Sequence, residues 1–129
     1  MEEKEIPSEY YGWWRITETS QWCKDDIDII GTALISLTGD DDQLRMFVLL
    51  ANVNCYPTKT GVSFRWQGAW EYDPVSGTGS VKLHKDGRLT GRIKIKNGDE
   101  STFVAVRMEE PDEPIPDPPS YSDKWRRRW

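Results

Sequence analysis

The residue types that most often carry catalysis are few in this chain of 129 residues. His84 is its only histidine, and its two cysteines are Cys23 and Cys55. Ser-His-Asp chemistry would depend on that one histidine, which the strand pattern predicts to face solvent beside a turn. The sequence contains no Cys-x-x-Cys pair and no glycine-rich phosphate loop. It therefore predicts neither a metal site nor another cofactor, and two free thiols rather than a disulfide.

Acidic side chains are numerous, but turns and outer strand faces account for them. Paired acid–base catalysis needs two groups whose surroundings push their pKa values apart. The sequence offers no such pair among its carboxylate candidates, which are Asp25, Asp26, Asp28, Glu71 and Asp99. We therefore expect a protein that is not an enzyme and has no catalytic residues.

Aromatic rings are the chain's other chemical resource, since they make up 12% of its residues and include seven tryptophans. Each ring buries about 150–250 Å², so few of them suffice to build a core or an apolar binding site. The formal net charge of −5 makes nucleic acid an unfavourable partner. An acidic, polar start and the lack of an apolar run of about 20 residues predict a cytoplasmic protein with no membrane span.

Regular turn signals indicate the elements that must position these rings. The signals are Gly39–Asp42, Pro57–Gly61, Asp73–Gly77, Lys85–Gly87 and Asn97–Asp99. Asp-Gly and Asn-Gly favour tight hairpins because both central residues take positive φ. The β-rich runs between them are 33–38, 43–54, 62–72, 79–84, 89–96 and 101–108, after an opening run at 11–18. This spacing predicts an all-β antiparallel meander, either a sandwich or the small up-and-down barrel of about seven or eight strands that we favour.

Alternation within these strands predicts which side chains face the interior. In run 62–72 every second residue is large and mostly apolar, apart from Gly68. The inward residues that we take as candidates for ligand binding are Phe64, Trp66, Trp70, Tyr72, Ile93 and Phe103. Gly68 and Gly91 interrupt the inward faces, which leaves two interpretations open. The rings line an apolar pocket, or they simply fill the core.

Two stretches lack a clean pattern. The apolar strand 43–53 is hydrophobic at both parities around Met46–Val53, which indicates cover on both faces or contact with a partner. Segment 20–31 shows neither helical period nor alternation, and we interpret it as a short helix or lid that crosses the end of the barrel.

The first strand opens with Gly12-Trp13-Trp14-Arg15-Ile16, which contains the motif Gly-x-Trp. This opening resembles that of the calycins, which include lipocalins, fatty-acid-binding proteins and avidins. The resemblance implies a barrel whose closed end is plugged by Trp14, packed against a basic residue from a late strand. Arg107 is the matching residue here, so Gly12, Trp14 and Arg107 are expected to close the barrel.

The stretch from Gly12 to Arg107 is also similar to small bacterial proteins with Trp-Arg-Ile near their start. Those proteins share a Phe-x-Trp-x-Gly strand and a Gly-Asp-x-Ser-x-Phe-x-Ala-x-Arg ending. The matching residues here are Phe64, Trp66 and Gly68, then Gly98, Asp99, Ser101, Phe103, Ala105 and Arg107. The chain lacks a Thr-Asp-Tyr-like middle motif, so the resemblance extends to the architecture more than to an activity.

The C-terminal tail differs in composition from the rest of the chain. Five prolines between residues 111 and 119 predict an extended, polyproline-like segment. The tail ends in a candidate partner-binding element, Trp125, Arg126, Arg127, Arg128 and Trp129. It is interpreted as a flexible tail leaning on the acidic body, as a protein-recognition element, or as a contact for RNA, single-stranded DNA or an anionic membrane. The predicted organisation is a flexible N-terminus (1–7), a barrel (8–109) and the tail (110–129).

Two functional hypotheses follow from these residues. The first is non-catalytic binding of a small hydrophobic or aromatic molecule in a lipocalin-like barrel, with segment 20–31 near the entrance. The alternative is a protein-interaction module, such as an inhibitor, immunity or accessory protein. That module would bind its partner through the C-terminal tail or the apolar strand 43–53.

Overall fold

The computed structural model describes residues 6–39, 41–71, 73–112, 114–116 and 118. A short 3-10 helix, Ser8–Tyr10, is followed by eight antiparallel strands. Each strand pairs with its neighbour in sequence and the last pairs with the first, so the sheet is a closed barrel. The strands are β1 (Gly12–Thr19), β2 (Leu34–Leu37), β3 (Asp42–Met46), β4 (Leu49–Pro57), β5 (Val62–Trp70), β6 (Asp73–Leu83), β7 (Leu89–Ile95) and β8 (Glu100–Met108). The predicted all-β meander and its closure into a barrel are confirmed.

The up-and-down order gives the barrel two different ends. The lower end holds the starts of β1, β3, β5 and β7, together with the Ser8–Tyr10 helix. The upper end holds the connections that follow those four strands, of which the longest is the loop 20–33 between β1 and β2. Each side chain that points into the barrel therefore lies at a definite level between the lower and the upper end.

Large rings in the interior lie directly against glycines on the neighbouring strand. The cross-strand pairs are Phe64 with Gly79, Trp66 with Gly77, and Phe103 with Gly91. A Cβ placed on Gly79 would lie 2.2 Å from Cζ of Phe64. One on Gly91 would lie 2.3 Å from Cζ of Phe103. The missing side chains thus make room for rings of the same barrel, which pack the interior from within.

The run 43–54 is two strands rather than the one that its composition predicts. β3 and β4 meet in a tight turn in which Phe47 has φ of 53°. A position with left-handed φ usually holds glycine or asparagine, so a phenylalanine at this position gives no turn signal in the sequence. The turn also shifts the inward parity from Met46 to Leu49, which explains why the run is apolar at both parities.

The stretch Asp73–Gly77, predicted as a turn, belongs to β6 instead, and that prediction is wrong. Here too a non-glycine residue at the preceding turn, Glu71 with φ of 56°, hides the true connection. Gly77 is required for a different reason, because a Cβ there would lie 2.6 Å from the Trp66 ring and 1.9 Å from the Lys94 carbonyl oxygen.

The start of the C-terminal tail lies on the outside of the barrel. Among the described residues of the tail (110–112, 114–116 and 118) there is no helix or strand. Ile115 is 9% exposed, and its carbonyl oxygen accepts a hydrogen bond of 3.1 Å from Nε2 of Gln43 on β3. The candidate element Trp125–Trp129 lies outside the described residues, as does most of the predicted flexible N-terminus. No helix in the described part of the chain is long and apolar enough to cross a membrane.

Candidate functional site

The lower end is sealed by a tryptophan and an arginine from directly paired positions. Trp14 is fully buried and pairs with Arg107 across β1 and β8. The guanidinium carbon of Arg107 lies 4.3 Å from the centroid of the Trp14 ring, a cation–π distance. The Trp14 indole donates a 3.0 Å hydrogen bond to the Tyr10 carbonyl oxygen. Ring, guanidinium and short helix thus form one cap.

Gly12 completes this cap, as the sequence predicts. Its φ is 132°, and a Cβ there would lie 2.9 Å from Nη1 of Arg107. That Nη1 donates a 2.7 Å hydrogen bond to the carbonyl oxygen of Tyr11. The structure therefore brings together the three residues expected to close the barrel, although their role in the molecule is a matter of packing and not of chemistry.

The upper end carries a cluster of three aromatic rings from separate parts of the chain. Trp22 comes from the loop 20–33, Phe47 from the β3–β4 turn, and Trp70 from the last residue of β5. Trp22 stacks on Phe47 at 5.7 Å between centroids and lies 5.5 Å from Trp70. Phe47 meets Trp70 edge-on at 5.6 Å. We call these three residues the upper aromatic cluster; each of them is half-buried.

The loop 20–33 is fastened across this end by its backbone and by one buried side chain. The Phe47 amide donates a 2.7 Å hydrogen bond to the Ile27 carbonyl oxygen, and the Ile27 side chain is 1% exposed. At the other end of the loop, Thr19 exchanges hydrogen bonds with the backbone of Trp22 at 2.8 and 3.0 Å. The predicted lid over the barrel end therefore takes the form of a turn-rich loop without a helix.

An ion pair ties the same loop to the barrel wall. Arg15 on β1 donates to both carboxylate oxygens of Asp28, at 2.8 and 2.5 Å, and the Ala33 amide donates to Asp28 at 2.8 Å. Burial alone would raise the pKa of Asp28. The hydrogen bonds from Arg15 and Ala33, with the charges of Arg15 and Arg45, outweigh it and lower that pKa. The loop is thus held by a charged latch on its outer side.

The sequence-predicted ligand residues lie at two levels. Phe64, Trp66, Ile93 and Phe103 are at most 1% exposed and belong to the packed interior. Trp70 lies higher, in the upper aromatic cluster, and Tyr72 lies outside the described residues. That any of them contacts a ligand stays a prediction.

Sequence reasoning missed Trp22 and Phe47 as members of the site. Trp22 follows the end of β1 in a stretch with no periodicity, and Phe47 lies in a turn hidden inside an apolar run. A signal was nevertheless present, because an aromatic residue in an irregular, polar segment has no strand face into which it can be buried. Its ring must pack against something else, and here that is the end of the barrel.

His84, Cys23 and Cys55 have acid–base or metal-binding capacity, and each has a defined local environment. Within the described residues no cluster of three histidine, cysteine or acidic side chains could hold a metal ion. His84 shares a 2.8 Å hydrogen bond with Thr90 beside a turn. Both cysteines are free. Burial, together with the charge and hydrogen bond of Asp42, raises the pKa of the Cys55 thiol to about 11.

Asp42 is the most deeply buried carboxylate in the described chain, at 2% exposure. It accepts hydrogen bonds from the Ser36 hydroxyl at 3.0 Å, from the Thr38 amide at 2.9 Å and from the Gly39 amide at 2.8 Å. These contacts hold the β2–β3 connection at the lower end. They give this carboxylate a structural role.

No protein-family model, no curated protein and no solved structure matches this chain.

Proposed function

We propose that the protein binds a small hydrophobic or aromatic molecule without catalysis, and that the upper aromatic cluster is its binding surface. The observation that carries the proposal is the meeting of three half-buried rings under a loop that crosses the barrel end. Ring faces favour aromatic and apolar ligands in offset or edge-on contact. The Gly-x-Trp opening, which resembles that of lipocalin-like barrels, supports the same function, and the acidic composition favours a cytoplasmic setting.

The packing of the interior argues for a ligand near the upper end rather than deep within the barrel. Phe64, Trp66 and Phe103 press against glycines, so the lower and middle levels are occupied by the protein's own rings. Higher up, Trp22, Phe47 and Trp70 are only half-buried, so their rings remain partly accessible to a ligand. The deeper residues then form the floor of the site.

A fluorescence titration with anilinonaphthalene sulfonate, an aromatic apolar probe, tests this proposal. Trp22→Ala removes a ring of the cluster and should weaken probe binding about tenfold, because an aromatic contact contributes about 0.5–1.5 kcal/mol beyond its buried area. Trp13→Ala, which removes a half-buried outward ring near the lower end, is the matched control and should leave probe binding unchanged. Equal probe binding by the wild-type protein and Trp22→Ala would contradict the proposal. A second test is native mass spectrometry of the protein purified from its own cells. The proposal predicts an added mass of a few hundred daltons, which is that of the bound small molecule.

A second function, as a protein-interaction module, is favoured by one specific observation. Ile29 and Ile30 are 62% and 45% exposed, so the loop 20–33, which also carries Trp22, presents two large apolar side chains to solvent. An inhibitor, immunity or accessory protein would use such residues as anchors. The outward side chains of Asn52 and Asn54 on β4 are polar and exposed, so that part of the wall offers little apolar contact.

Co-purification from native cells separates the two functions. The variant Ile29→Ser with Ile30→Ser should lose a protein partner if the loop is the contact, while deletion of residues 111–129 should lose it if the tail is. A partner retained at full affinity by both variants would exclude both surfaces. Neither change touches the ring faces of Phe47 and Trp70, so probe binding reports separately on the first function.

A further inference from the structure

The outer wall of β5–β8 carries positive charge that the composition of the whole chain conceals. The exposed basic residues at outward positions of these strands are Arg65, Lys82, Arg92 and Lys94, and exposed Lys96 follows β7 in the turn that also carries Asp99. Within the described part of β5–β8, Glu100 is the one acidic side chain on an outward parity, and it pairs with Arg92 at 3.2 Å. The chain as a whole has a net charge of −5. The charges are therefore segregated, and we call this surface the basic wall.

The basic wall is concave on either side of Arg65. One hollow, of about 360 Å³, is lined by Asn52, Val53, Asn54, Arg65 and Gln67. A second, of about 390 Å³, is lined by Arg65, Ser76, Gly77, Thr78, Lys94, Lys96 and Asn97. Arg65 belongs to both linings, so the two hollows adjoin at this residue, and we call them together the groove.

The register of the strands sets the spacing of the charges. Arg65 pairs with Thr78, which pairs with Lys94. The two cations are therefore separated by two strand spacings, about 10 Å between backbones. Along β7 and its continuation the cations Arg92, Lys94 and Lys96 occupy alternate positions, about 6.7 Å apart. An extended polypeptide presents alternate side chains at that same interval, so its carboxylates can approach this row of cations in register, in competition with Glu100 at Arg92.

We propose that the basic wall is a docking surface for an extended acidic segment of another polypeptide. Carboxylates form charge-assisted hydrogen bonds with guanidinium and ammonium groups. The exposed amides of Asn52 and Asn54 and the hydroxyl of Thr78 match the donors and acceptors of a peptide backbone. The surface lies on the side of the barrel, away from the upper aromatic cluster, and this binding is separate from that of a small molecule.

The lining of the groove favours a polypeptide over single-stranded nucleic acid. Proteins that bind single strands combine cations with aromatic side chains on which the bases stack. Neither hollow has an aromatic residue in its lining. The cations thus meet hydrogen-bonding groups suited to carboxylates and amides, with no platform for a base.

The test uses a short fluorescein-labelled oligoglutamate peptide and the full-length protein, with binding measured by fluorescence anisotropy at low ionic strength. The double variant Arg65→Gln with Lys94→Gln should bind the peptide about tenfold more weakly, because each exposed ion pair contributes up to about 1 kcal/mol. The matched control is Lys59→Gln with Lys85→Gln, which removes the same charge from exposed turns at the lower end. It should weaken peptide binding clearly less than the test variant does, because its two charges lie farther from Arg65 and Lys94 and Coulomb energy falls with distance.

Three results would overturn the proposal. One is the absence of peptide binding by the wild-type protein at low ionic strength, and another is an equal loss in the test and control variants. The third is tighter binding of an oligothymidylate of equal charge, which would assign the wall to nucleic acid. Circular dichroism of each variant confirms that the barrel is intact, and outward glutamines on a sheet wall leave the core unchanged.

Discussion

The contact between Phe103 and Gly91 allows a quantitative test of how the barrel interior is filled. The change is Gly91→Ala. Its new Cβ would lie 2.3 Å from Cζ and 2.7 Å from Cε2 of Phe103, and 2.8 Å from the Ser80 carbonyl oxygen. Gly91 does not have a left-handed φ. In open space the alanine would therefore stabilise the fold by about 0.4–1 kcal/mol through the unfolded chain.

The close contacts at Gly91 make the expected effect of the alanine destabilising instead. Overpacking of a filled core costs about 1–3 kcal/mol, and one of the three contacts is a backbone atom that cannot rotate away. We expect a net loss of about 2 kcal/mol in the free energy of unfolding, measured by urea denaturation. For a domain of this size the loss corresponds to a fall of roughly 5–10 °C in Tm.

A second substitution identifies the ring as the cause. Phe103→Leu removes the Cζ and Cε2 atoms, so Gly91→Ala made in that background should cost about 1 kcal/mol less than in the wild-type protein. Gly98→Ala is the control, because its nearest neighbours are Cγ2 and Cβ of Ile95 at 3.1 and 3.3 Å, both farther than any of the three contacts at Gly91, and it should cost clearly less than Gly91→Ala. If Gly91→Ala changes stability by less than about 0.5 kcal/mol, the ring does not occupy that space. The interior would then have room for a ligand below the upper aromatic cluster.

Three further predictions concern polar groups. Because the pKa of Asp28 is lowered in the folded protein, its contribution to stability is fully present above the unfolded-state pKa of about 4 and is lost as the pH falls from there through the lower folded-state pKa. Asp28→Asn should flatten this acid-side fall in Tm, and an unchanged profile would refute the latch. Iodoacetamide at neutral pH should modify exposed Cys23 well before half-buried Cys55, whose thiol has a pKa of about 11; the reverse order in a mass spectrum would contradict this. Oε1 of Gln67 is buried with no hydrogen-bond partner in the described structure. The substitution Gln67→Met should therefore leave the free energy of unfolding unchanged or raise it by about 1 kcal/mol. A clear fall in that free energy, measured by urea denaturation, would show that Oε1 has a partner.

The barrel was predictable because alternation is a local property. In β7, and in β5 as far as Gly68, each inward residue is separated from the next by one polar residue, so the buried face can be read directly from the sequence. The Trp14–Arg107 cap was expected on a different ground, the resemblance of the Gly-x-Trp opening to that of the calycins, and not from any periodicity in the chain. The connections were less accessible, because Phe47 and Glu71 adopt left-handed φ without being glycine or asparagine.

The meeting of the three rings in the upper aromatic cluster was not predictable from the sequence, because only Trp70 lies on a patterned strand and the three residues share no element. Trp22, Phe47 and Trp70 meet only when the loop 20–33 has folded over the barrel end, and no spacing along the chain encodes that event. The glycines gave a misleading signal for a related reason. Gly77 and Gly91 are read from sequence as a turn or a gap, whereas their purpose is to admit a ring from the next strand.

Closure between β1 and β8 also has a consequence for how the chain matures. Arg107 donates its hydrogen bond to a carbonyl 96 positions earlier, so the contact that joins the first and last strands forms only after nearly the whole barrel has been synthesised. Until then β1 and β7 each present an open edge, to which other unfinished chains can add by hydrogen bonding. Such long-range closure makes folding slow compared with that of helical domains. Nascent chains on neighbouring ribosomes of one messenger RNA would therefore be most prone to associate just before the whole of β8, up to residue 108, has emerged from the ribosome.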